Sequence, residues 1–174
     1  MSITLYDAAA LTFLQILGGA ERVLEKGRDH CEANDIDLDD IIGMRLIEDM
    51  HPFRYQIVAM THHSLGAIRA VEAGTFSPPP SDTDQDYGAL QALVSETRDA
   101  IGAYSADAIN GLADKRVEFR SGSFSLPYRG ADFLLSFSLM NFYFHATTAY
   151  DLLRMKGVQI GKRDYAGRVR FLKE

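Results

Sequence analysis

The 174-residue chain has a single cysteine, Cys31, so it can form neither an internal disulfide nor a multi-cysteine metal cluster. A lone thiol fits a reducing compartment, and a cytoplasmic protein is expected. Asp29 and Glu32 flank Cys31 and disfavour its thiolate, so it is not read as a nucleophile. Basic charge is scarce as well. With a formal net charge of −6 the chain lacks the positive surface that phosphate neutralisation needs, which excludes nucleic acid as the expected partner. The one basic cluster is Lys162, Arg163, Arg168, Arg170 and Lys173, diluted by Asp164 and Glu174. No apolar run suits a bilayer: the best, around 133–149, is interrupted by Ser136, Ser138, Asn141 and His145. The first residues carry no positive region and no cleavage signal, so secretion is not expected. Phosphate loops, a nucleophile elbow and CxxC pairs are missing too. The acidic run 34–40 lacks the glycine and terminal glutamate of a calcium loop.

What is present is a globular composition. A hydrophobic fraction of 47% over this length can bury one sizeable core, so residues 1–174 are read as one domain. Ala8, Leu11, Leu14, Leu17 and Leu24 recur at helical spacing and predict a first helix over 4–28. Asp37 is placed to cap a short helix through Ile41, Ile42, Met44 and Leu46. Pro52 suits the first turn of a second helix that runs to about Ala73 and stops at Gly74. The run from Phe76 to Ser81, with three prolines, must be a stiff linker. Asp82 or Thr83 is read as the start of a third helix carrying Tyr87, Leu90, Val94 and Ile101. Val117–Arg120 and Phe124–Leu126 alternate around Ser121-Gly122-Ser123, which is a hairpin pattern. A fourth helix from about Ala131 to Lys156 is the most apolar and should be central. Residues 158–174 read as irregular. Four long helical patterns and a short β-hairpin before the last of them make an all-α, four-helix bundle.

Chemistry concentrates in Asn141-Phe142-Tyr143-Phe144-His145. Positions 141 and 145 are one turn apart, so both polar side chains leave the same face of a greasy helix. A buried imidazole there needs a hydrogen-bond partner or a metal. On the second helix, at about 100° per residue, His63 falls at the edge of the apolar stripe beside Gln56 and Met60, while His62 points away. His63 is therefore the better inward residue and His62 its alternative. Gln56, Met60 and Tyr143 are expected to line the pocket.

Several segments together resemble a known family. Asp49-Met50-His51-Pro52-Phe53 with Gln56, Asn141 through Tyr150, Leu153-Arg154, Gly157-Val158 and Gly161-Lys162-Arg163-Asp164-Tyr165-Ala166-Gly167 look like the bacterial family DUF1993, of unknown function, within the DinB/YfiT-like bundles. The resemblance implies an up-down-down-up bundle that dimerises. It also implies a divalent metal, zinc or nickel, held by three histidines, one from helix two and two from an H-x-x-x-H pair on helix four. Some relatives use such a metal to activate a thiol for transfer or isomerisation. Carried over, the ligand positions fall on His63 (or His62), Asn141 and His145. Asparagine is a weak neutral donor beside imidazole, so the three-histidine set is incomplete. Three readings follow. One is a dimeric bundle with a buried Asn/His site, with or without a small ligand. Another is a metal-dependent enzyme with a degenerate site. The last is a scaffold whose basic tail docks on a partner subunit.

Overall fold

The computed structural model describes residues 2–81 and 84–172. Four long helical stretches carry the core. The first is α1 (Leu11–Ala33), extended at its start by a π-helical turn, Tyr6–Ala10. After the short α2 (Leu38–Gly43), whose first turn is closed by the Asp37 carboxylate accepting from Asp39 N, comes the second stretch. It consists of α3 (Phe53–Thr61), a π-helical turn (His62–Gly66) and α4 (Ala67–Ala73). Gly74 ends it at φ 83°, a left-handed conformation that only glycine adopts freely.

The third stretch, α5 (Tyr87–Gly102), begins later than the sequence suggested. Asp86 accepts from Ala89 N at 2.7 Å and is its cap; of the expected starts, Asp82 and Thr83 lie outside the described residues. A short helix that the sequence did not announce, α6 (Ala106–Asn110), follows behind the Ser105 cap. The fourth stretch is α7 (Gly130–Asp132), a π-helical turn (Phe133–Ser138) and α8 (Leu139–Met155).

The expected hairpin is β2 (Arg116–Ser121) paired antiparallel with β3 (Phe124–Arg129), and it is longer than the pattern indicated. Pro127 does not end β3, because β3 is an edge strand where a missing N–H costs nothing. The all-α expectation needs a correction here. Phe76, read as the start of the linker, forms with Thr75 a strand, β1, pairing parallel with β2, so a three-stranded sheet sits beside the helices. Residues 158–174 are corrected too, since α9 (Lys162–Ala166) lies in that segment.

α3 packs on α8, and α1 packs on α5 and α9. Phe13 meets Phe142 edge-on at 4.9 Å, and Phe53 stacks with Tyr87 at 6.1 Å. Each such ring, fully buried, contributes about 1.5–3 kcal/mol. The buried Tyr87 hydroxyl avoids a desolvation penalty by donating to Leu24 O at 2.8 Å. Gly19 lets the C-terminal segment cross α1: a Cβ there would stand 2.3 Å from Tyr165 O.

Candidate functional site

The α3–α8 seam sets two imidazoles side by side. His63 and His145 have ring centroids 5.8 Å apart and planes within 17° of parallel. His63 comes from the π-helical turn of the second stretch, where one extra residue per turn shifts the direction in which side chains leave the helix; such turns often mark functional positions. It is 4% exposed, and its Nδ1 is buried with no hydrogen-bond partner. Phe76 at 5.3 Å and Phe137 at 5.8 Å pack against its ring. His145, half-buried, meets Tyr55 edge-on at 5.8 Å.

Gln56, at 1% exposure, fixes the state of His145. Its amide nitrogen donates to His51 O at 2.8 Å, which leaves its carbonyl oxygen facing His145 Nδ1, also at 2.8 Å. The reverse orientation would set two carbonyl oxygens against each other. The His145 proton therefore sits on Nδ1, and Nε2 carries the lone pair. Both rings are held neutral. Burial above all pushes His63 down from 6.5 to about 3, and the neighbouring His145 and His62 rings add to the shift by opposing a charge there. Burial, then the neighbouring His51 imidazole, pushes His145 down to about 4. Groups so weakly basic are poor general bases near neutrality, but sound hydrogen-bonding sites.

The other expected residues are distributed differently. His62 leaves the seam and donates from Nε2 to Ser77 O at 2.8 Å, tying down the proline-rich segment. Asn141 is half-buried, and its amide donates to Phe137 O of its own helix at 2.8 Å. No hydrogen bond joins Asn141 to either imidazole among the described residues. Tyr143 faces the C-terminal segment, where burial and the neighbouring Tyr165 push its phenol up, with Arg170 opposing. Met60, one turn from Gln56, is buried and lines an apolar cavity with Ile57 and Ala146 rather than the imidazole pair. The structure thus brings together His63, His145 and Gln56. Two participants were missed. His51 stacks on Tyr55 at 3.9 Å, and Tyr55 in turn packs against His145. Their i, i+4 spacing was the available signal.

A three-histidine metal does not fit these residues. Among the described residues no group of three or more His, Cys, Asp or Glu side chains is placed to hold an ion. The third position is an amide already engaged by Phe137.

The fold is that of a mostly helical, DinB-like protein. A crystal structure of a DinB family member protein from Shewanella denitrificans superposes with a TM-score of 0.79 over 98% of this chain and 96% of that one, at 22% identity. Such identity speaks for the fold alone. The model of the family described as Domain of unknown function (DUF1993) matches residues 5–166, and the chain belongs to that family. No curated protein matches it. No helix among the described residues is long and apolar enough to cross a membrane.

Proposed function

We propose that the protein is a cytoplasmic homodimer, an up-down-down-up bundle whose His63–His145 pair binds a small hydrogen-bonding molecule without a resident metal. The observation that carries this reading is the Gln56 bridge. It commits His145 Nδ1 as a donor and leaves Nε2 a neutral acceptor, on a ring stacked 5.8 Å from His63, whose Nδ1 has no partner. Dimerisation is supported by Met140 and Phe144, 64% and 55% exposed one turn apart on α8. The reducing compartment is supported by Cys31, fully buried as a free thiol that burial keeps protonated.

One observation favours the metal-dependent reading: a carbonyl on the far nitrogen of an imidazole is also how a ligating histidine is oriented. Untagged protein, purified without chelator, separates the two. Elemental analysis should find no stoichiometric metal. Urea and phenol, added as probes, should move the ring-proton NMR signals of His63 and His145. One metal per chain, lost in His145→Ala, would decide for the enzyme.

A further inference from the structure

A second site lies at the other side of α8, where the C-terminal segment closes on it. The apolar cavity between α1, α3 and α8 has an empty space of about 320 Å³ counting its mouth, but its interior admits little more than a water molecule. Its walls include Ile16, Ile57, Met60, Ala149 and Leu153. Tyr150 and Tyr165 close it, their rings meeting edge-on at 5.7 Å.

The same two tyrosines also line an open surface hollow with Thr147, Asp151 and Lys162. The hollow and the cavity are therefore the two sides of one aromatic gate. The gate is lightly held: Tyr165 Oη is tethered to the exposed Thr147 hydroxyl at 2.9 Å, and Tyr150 donates to Ile160 O at a long 3.4 Å. At the mouth stand two charges of opposite sign. Among the described residues neither Asp151 nor Lys162 has a salt-bridge partner, and both are exposed.

We propose that this hollow binds a free zwitterion with a branched apolar side chain, an aliphatic α-amino acid. Its ammonium lies on Asp151, its carboxylate on Lys162 and the Thr147 hydroxyl, and its side chain displaces the Tyr165 ring to enter the cavity. A charged pair at a mouth and a dry wall behind it match that molecule on three counts: a cation, an anion and a hydrocarbon. An alkyl amine or a fatty acid would satisfy one charge and leave the other facing a like group. The site owes nothing to the imidazole pair, none of whose members lines it.

Titration calorimetry on the full chain tests it, with leucine, 4-methylpentanoate, 3-methylbutylamine and glycine as probes. Leucine should bind, and each of the other three should bind about tenfold more weakly or not at all. Asp151→Asn and Lys162→Gln should each weaken leucine about tenfold with unchanged melting temperature, since both side chains are solvated. His145→Ala should leave leucine binding as it was. Silence with leucine, or equal binding of the amine or the acid alone, overturns the assignment. So does leucine binding that ignores both charge variants.

Discussion

His63 and His145 owe their character to what surrounds them more than to where they fall in the sequence. Because folding lowers the His63 pKa to about 3 from 6.5, the unfolded chain binds the proton first as pH falls. Its contribution is complete above about pH 6.5 and erodes below it, by about 1.4 kcal/mol per pH unit, until the folded ring itself titrates. Chemical denaturation at neutral and mildly acidic pH should show this slope added to that of His145, and His63→Phe should reduce it to the His145 part. Gln56→Leu should cost about 1–3 kcal/mol by stranding the His145 N–H, a loss measurable in the same experiment. The helical angle that favoured His63 over His62 was legible from spacing. The fate of Asn141 was not: short polar side chains close on the carbonyl four residues back, and only the packed helix shows that Asn141 does so.

At the level of elements, the stretch of strongest family resemblance is largely architectural. Arg154 donates to Val158 O at 2.7 Å, fastening the chain after α8. Asp164 takes Lys26 at 2.7 Å and Gly161 N at 2.8 Å, and these two contacts, in that order, hold its carboxyl below the usual range. Gln15 donates to Ala166 O at 2.8 Å. The basic tail, read as docking on a partner, has its α9 portion lying on α1 of its own chain. Gly19→Ala should lift that segment and cost about 1–3 kcal/mol in thermal or denaturant unfolding, because the added methyl meets backbone rather than a yielding side chain. Gly74→Ala, at a left-handed φ, should cost about 1 kcal/mol in the same assay. The long helices and the hairpin were readable because their periodicities are long enough to register. β1 was not, since two residues before a proline run carry no period, and the π-helical turns arise from packing between stretches.

The whole molecule puts its two polar features on different sides of α8, with a dry cavity wall between. An exposed apolar face carrying Met140 and Phe144 remains for the proposed dimer. Met140→Glu combined with Phe144→Glu should reduce the mass measured by light scattering to about half, with helicity unchanged. The account as a whole turns on the neutral, Gln56-oriented imidazole pair. Ring-nitrogen NMR of His63 and His145 from about pH 5 to about pH 8 reads it directly. Both rings should stay neutral throughout, with the His145 proton on Nδ1. A ring that titrates near its ordinary value, or a His145 proton found on Nε2, would contradict it.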